Sequence, residues 1–311
     1  RCSTASCPIL LEPNRLVKVS AMNSFKRLFN ETGLRLLAWA SVISEILIVV
    51  TGGAVRLTAS GLGCPTWPNC TADSLVTVPE MGIHGVIEFA NRLLTFALLL
   101  IAVLFLVAAV ISRGARKVLV TAIWLIAGIF LQAVVGGISV LTQLNPWVVG
   151  LHFVISSAMI SVAAIQLWRV YSPTVTPSIS AERRLSSLLI IAGSAAILIG
   201  IVVTGSGPHA GDLAAPRNGL DSELWQHYHS YPAYIALGLG LILLWMVRRR
   251  DVDGFASRLV FWTVFALAAQ AIVGIAQARL GLPVALVLVH MTLASIFVAL
   301  LTLQRLALRR K

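Results

Sequence analysis

The chain has 311 residues, of which 58% are hydrophobic and only 12% charged, with a net charge of +12 and a mean hydropathy of +0.90. Soluble domains carry about 25% charged residues, so a soluble globular fold is excluded. The basic residues form short clusters between apolar stretches rather than one patch, so nucleic-acid binding is set aside too.

Residues 1–30 hold no apolar core of the roughly 7–15 residues that a secretory signal needs. The sequence opens on Arg1, and Met22 offers an alternative start, so no function is assigned to residues 1–21. A membrane-crossing helix needs about 20 mainly apolar residues. Eight such stretches follow, near 34–55, 85–111, 118–141, 147–168, 186–205, 225–247, 259–280 and 284–304.

The charges orient these spans. Six basic residues precede the apolar core of the first. Arg113, Arg116 and Lys117 follow the second, and Arg169, Arg183 and Arg184 the fourth. Arg248, Arg249, Arg250 and Arg258 follow the sixth, and Arg305, Arg309, Arg310 and Lys311 close the chain. The opposite loops hold only Arg56, Arg217 and Arg279, with Arg92 inside a span. Basic loops stay inside, so a multi-pass protein of the plasma membrane with both termini cytoplasmic is expected.

A repeat divides the spans. Phe130-Leu131-Gln132-Ala133-Val134-Val135-Gly136 resembles Ala268-Ala269-Gln270-Ala271-Ile272-Val273-Gly274, and His152 then matches His290 at a constant offset of 138. The same offset sets Asn91 opposite His229 and Glu88 opposite Gln226. Val49-Val50-Thr51-Gly52 also echoes Val202-Val203-Thr204-Gly205. The fold expected is an all-α membrane protein of eight transmembrane helices, arranged as two related four-helix bundles. An even number of spans per half relates the copies by an axis along the membrane normal. The divisions expected are a cytoplasmic segment at 1–33, a first half at 34–171, a linker at 172–185, a second half at 186–305 and a tail at 306–311.

All six histidines, His84, His152, His209, His227, His229 and His290, lie on or near the outer side in this topology. His152 and His290 fall about two turns into their spans, with His229 at similar depth. Polar side chains within a membrane face a bundle interior or a cavity. A bland role is hydrogen bonding between helices. The repeat favours a sharper one, in which histidines at matched depth ligate a haem iron from both faces. Zinc also accepts imidazole but draws more ligands from closer positions.

In the second span, His84, Glu88 and Asn91 recur at helical spacing, with Arg92 one turn after Glu88. Glu88 reads either as an ion-pair partner of Arg92 or as a proton acceptor or donor beside a substrate. Glu45 in the first span has no evident partner. Cys64 and Cys70 fall in an outer loop, where disulfides persist, and read as a structural staple or as a redox-active pair. Cys2 and Cys7 fall on the cytoplasmic side. Arg56 and Arg217 are the outer cations best placed to meet haem propionates.

The run Val55-Arg56-Leu57-Thr58-Ala59-Ser60-Gly61-Leu62, the loop Cys64-Pro65-Thr66-Trp67-Pro68-Asn69-Cys70, the motif Ile87-Glu88-Phe89-Ala90-Asn91-Arg92, and the positions of His152 and His290 resemble the haem A synthase family over residues 34–305. That resemblance implies oxidation of the C8 methyl group of haem O to a formyl group, giving haem A for terminal oxidases. It implies a resident haem b on His229 and His290, and a substrate haem O in the first half on His152. Asn91, Arg92 and Arg56 surround that substrate, Glu88 is catalytic, and Cys64 pairs with Cys70. Haem O synthase, an electron donor and membrane lipid are the implied partners. One departure stands out: Asn91 occupies the family's first histidine position, so the substrate haem is expected on His152 alone, with an open axial position. The competing readings are a di-haem membrane cytochrome b that relays electrons without modifying haem, and a transporter. The asymmetry between halves disfavours the first, and the clustering of prolines in loops, apart from Pro232, disfavours the second.

Overall fold

The computed structural model describes residues 30–112, 116–173, 178–250 and 254–308. Met22, Cys2, Cys7, Arg113, Arg309, Arg310 and Lys311 lie outside the described residues. Among the described residues eight helices are long and apolar enough to cross a membrane: α1 (Glu31–Leu57), α2 (Gly82–Ile111), α3 (Arg116–Leu141), α4 (Pro146–Tyr171), α5 (Ser180–Ser206), α6 (Ser222–Arg249), α7 (Gly254–Arg279) and α8 (Val284–Ala307). The described residues contain no strand. The chain is a multi-pass membrane protein of all-α class.

The helices outrun the apolar stretches where polar residues cap them. α5 starts six residues before the apolar core at 186, because Glu182 turns back to accept the backbone N–H of Ile179 at 3.0 Å and Arg250 Nη1 at 2.9 Å. Asp221 accepts the N–H groups of Glu223 and Leu224 at 2.9 Å each and so begins α6. At the opposite end, Arg35 lies over Tyr171, Arg248 over Phe261 and Arg249 over Trp245. These are cation–π seats suited to a membrane boundary.

α1 to α4 pack in order and α1 closes on α4; α5 to α8 repeat this, with α8 closing on α5. The halves meet through α1–α8, α4–α5 and α4–α8. If α1 corresponds to α5 and α4 to α8, the first two contacts are equivalent and the third lies on the relating axis. Each half centres on a buried cluster, with Val298 and Ala299 of α8 joining that of the first half and Trp168 of α4 that of the second. Small side chains are completely buried in both: Ala38, Ala108, Ala122 and Ala163 in the first half and Ala236 and Ala256 in the second. In lipid, where burial of apolar surface drives little association, close backbone approach is what holds helices together.

The loops at the end opposite the basic clusters knit the halves. Gly61 N donates to Gly211 O at 2.7 Å, and Leu144, Ala210 and Ala215 pack together. The approach favours glycine at Gly61, since a Cβ there would lie 2.8 Å from Leu144 Cδ1 and 3.0 Å from Gly211 O. α2 and α4 stand diagonally in the first ring, and α6 and α8 in the second, so side chains on these helices can face each other across each interior.

Candidate functional site

His152 and His290 are each the seventh residue of their helices, α4 and α8; His229 is the eighth of α6 and Asn91 the tenth of α2. All four sit near the end of the bundle that carries the cysteine loop, and all are half-buried. The sequence repeat thus becomes a spatial one.

In the second half the two rings face each other. The centroids of His229 and His290 are 6.2 Å apart, with the planes at 73°. Two imidazoles on one metal, each at about 2 Å, have centroids roughly 6 Å apart. His229 Nδ1 lies 2.8 Å from Ala196 O, which in the Nδ1–H tautomer fixes the ring and leaves Nε2 for a metal. Nδ1 of His152 and of His290 are buried and have no hydrogen-bond partner among the described residues. The residues present fit a haem at His229 and His290. Among the described residues no cluster of three or more His, Cys, Asp or Glu side chains offers a metal site, so the zinc alternative has no further ligands to draw on.

Each of the four positions packs against a glycine of the preceding helix. A Cβ built on Gly136 (α3) would come within 3.2 Å of His152 Cε1, on Gly200 (α5) within 2.9 Å of His229 Cε1, and on Gly274 (α7) within 3.3 Å of His290 Cε1. On Gly52 (α1) it would meet Asn91 Nδ2 at 3.9 Å. Three notches are filled by an imidazole, and the fourth by a shorter amide. This corrects the register of the Thr-Gly echo: Gly200, not Gly205, stands where Gly52 stands. A Cβ on Gly205 would instead meet Asn218 and Pro146.

Glu88 and Arg92 meet as the (i, i+4) spacing requires, with Arg92 Nη2 2.5 Å and Nε 3.1 Å from Glu88 Oε1. The pair does more than neutralise itself. Glu88 Oε2 accepts the N–H of Cys64 at 2.6 Å. Arg92 also donates to the carbonyls of Cys64 at 2.9 Å, Thr66 at 3.1 Å and Asn69 at 3.3 Å. The carboxylate and guanidinium therefore clamp the loop that Cys64 and Cys70 close as a disulfide. Both cysteines are 0% exposed, which favours the staple. Trp67 of the loop lies against Gly137, beside the notch that holds His152, so the loop roofs the first half.

Arg56 reaches across the halves. Its Nε donates to His209 O at 2.5 Å and its Nη2 to Thr204 O at 2.7 Å. Arg217 donates to the carbonyls of Ala215 and Pro208 at 2.6 Å each. Arg56 thus ties α1 to the end of α5 and the loop after it, Arg217 braces that same loop, and backbone carbonyls, rather than carboxylates, are the partners in this structure. His84 lies 2.8 Å from Ser60 Oγ through Nδ1, His209 Nε2 lies 3.0 Å from Leu282 O, and His227 is exposed. Glu45 is 5% exposed on the face of α1 that holds Ser41, Val42 and Val49.

Residues 35–208, just over half of the chain, match the sequence model of COX15-CtaA, described as cytochrome oxidase assembly protein. The chain belongs to the COX15-CtaA family. A relative in Bacillus pumilus named heme A synthase is 34% identical over 137 residues, 43% of each chain. Relatives of the same name are 26% identical in Listeria welshimeri over 283 residues and in Listeria monocytogenes over 281, each spanning 84% of this chain and 90% of the relative. Membership supports the resemblance read from the outer-loop and Glu-Arg motifs. The glycine notches and the Thr51–Asn91 contact, at 2.8 Å between Thr51 Oγ1 and Asn91 Oδ1, are what sequence reading missed. Gly136 and Gly274 were in view within the repeat, but their purpose depends on which helix face they occupy.

Proposed function

We propose that this member of the COX15-CtaA family is a haem A synthase, an oxidoreductase that converts the C8 methyl group of haem O to a formyl group. The observation that carries the reading is the unequal repetition of one site. The second half keeps an imidazole pair at 6.2 Å, whereas the first keeps His152, replaces its partner by Asn91, and adds a clamped, disulfide-closed roof. A pure electron relay needs no such difference.

A haem b between His229 and His290 supplies one-electron redox chemistry when bound. The remaining roles belong to side chains of the first half. His152, seated in the Gly136 notch, holds the iron of the substrate haem O and fixes its position. Trp67 and the closed loop keep bulk water from the outer mouth. Arg92 and Arg56, whose hydrogens are mostly given to Glu88 and to backbone carbonyls, add positive charge to that mouth for propionates without bonding them directly. Converting –CH3 to –CHO gives up four electrons and four protons to an external oxidant and takes its oxygen atom from water or dioxygen; Glu88 is the group that accepts a proton released in this oxidation. Its oxygens already hold Cys64 N and Arg92, so taking up a proton there loosens the loop, which ties substrate turnover to the roof. The halves are the substrate and cofactor units, and the basic loops face the cytoplasm. Haem O synthase supplies the substrate, and an external oxidant, joined by a membrane electron donor where that oxidant is dioxygen, completes the reaction.

The test is to purify the protein from a membrane that makes haem O, extract its haems and separate them by chromatography. Haem B together with haem O and haem A is the expected result. Haem B alone would instead assign a di-haem cytochrome.

A further inference from the structure

The fourth notch is filled differently from the other three. At His152, His229 and His290, ring carbon Cε1 comes within 2.9–3.3 Å of a Cβ built on the facing glycine, whereas Asn91 stops at 3.9 Å from that of Gly52. The amide is also not free to swing. Thr51 Oγ1 lies 2.8 Å from Asn91 Oδ1, nearer than the carbonyls of Leu47 at 3.0 Å and Ile48 at 3.2 Å that compete for its one hydrogen, and Thr51 adjoins Gly52 on α1, so with that hydrogen given to Oδ1 one helix turn provides both the space and the anchor. With Oδ1 held, the two Nδ2 hydrogens remain, and among the described residues Nδ2 has no hydrogen-bond partner. An amide is a poor iron ligand but a good donor to a group that an iron binds.

We propose that Asn91 and Thr51 form an open axial-ligand site opposite His152, which admits a small anionic or polarised ligand of azide or cyanide size and donates to it through Asn91 Nδ2. The proposal rests on the reading that His152 holds a haem in the first half. It gives the Asn91 position a task of its own: a histidine there would close the iron on both faces, as in the second half. Thr51 is then a positioning residue, which selects the donor edge of the amide over the acceptor edge.

The test uses the full-length, haem-loaded, oxidised protein titrated with sodium azide and followed by visible absorption and electron paramagnetic resonance. The expected wild-type result is one saturable azide site per chain, and one high-spin and one low-spin haem before azide is added. In Asn91→His both haems are low-spin and the azide site is lost. Asn91→Leu keeps the site but binds azide roughly tenfold more weakly, since a hydrogen bond to a charged ligand is removed. Thr51→Val weakens it in the same direction. Two low-spin haems and no azide binding in the wild type would overturn the proposal while leaving a first-half haem in place. Azide binding that survives His152→Ala places the ligand elsewhere and overturns it too. A preparation with a single haem per chain under every loading condition would instead sink the underlying reading.

Discussion

Replacing Gly200 by alanine puts a methyl group 2.9 Å from Cε1 and 3.1 Å from Nδ1 of His229. Carbon atoms rest about 3.5–4.0 Å apart, so the ring must retreat by roughly half an ångström or more. It cannot do so freely, because Nδ1 is tied at 2.8 Å to Ala196 O, which lies on α5 one turn before Gly200. Overpacking of this kind costs about 1–3 kcal/mol, against a gain of up to about 1 kcal/mol from replacing a helical glycine. The net, about 0–2 kcal/mol and centred near 1, corresponds to roughly fivefold weaker retention of the second-half haem, at about 1.4 kcal/mol per factor of ten. Gly136→Ala and Gly274→Ala, with gaps of 3.2 and 3.3 Å, should give smaller losses, at the first-half and second-half haem respectively. Gly52→Ala, facing Asn91 at 3.9 Å, should give none. The assay is the ratio of haem to protein, with the absorption spectrum, for each purified variant. Equal loss in Gly52→Ala and Gly200→Ala, or full haem content in Gly200→Ala, would refute the notch reasoning.

Other outcomes follow from the same geometry. Arg92→Gln strands Glu88 and three loop carbonyls, and should lower the thermal unfolding midpoint in detergent by an amount equivalent to about 2–4 kcal/mol; Glu88→Gln, which can still accept from Cys64 N, should cost less. Cys64→Ser with Cys70→Ser opens a loop of sequence separation 6, a loss of about 2 kcal/mol by chain entropy. In the native protein the same pair, fully buried, should resist alkylation after mild reduction, as read by mass spectrometry. For orientation, a cysteine at Leu213, 94% exposed in the α5–α6 loop, should react with an impermeant maleimide on intact cells. One at Ser172, beyond α4, should react only after permeabilisation; the reverse pattern would invert the topology.

Much of this was legible in the linear sequence because lipid imposes coarse rules: spans of fixed length, charge on one side, and rare polar residues that must face inward. The Glu88–Arg92 pair followed from helical spacing alone. What escaped were contacts whose partners are far apart in sequence. Arg56 reads as a haem-facing cation, yet its donors go to carbonyls 148 and 153 residues away. Arg92 reads as the partner of Glu88, but most of its hydrogens serve loop carbonyls, because backbone acceptors carry no sequence signature. The Thr-Gly echo slipped by five residues, since a local string match ignores the different loop lengths after α1 and α5, whereas the notches are set by which glycine faces the ring.

The central claim is tested most directly by supplying haem O. Membranes of a host that makes haem O but lacks its own converting enzyme would receive this chain, and the haem pool would be resolved by mass spectrometry. A new haem in which formyl replaces the C8 methyl group, lost in His152→Ala and in His290→Ala, is the predicted result. Unchanged haem O, in membranes where the wild-type chain is folded and carries its second-half haem, would contradict it.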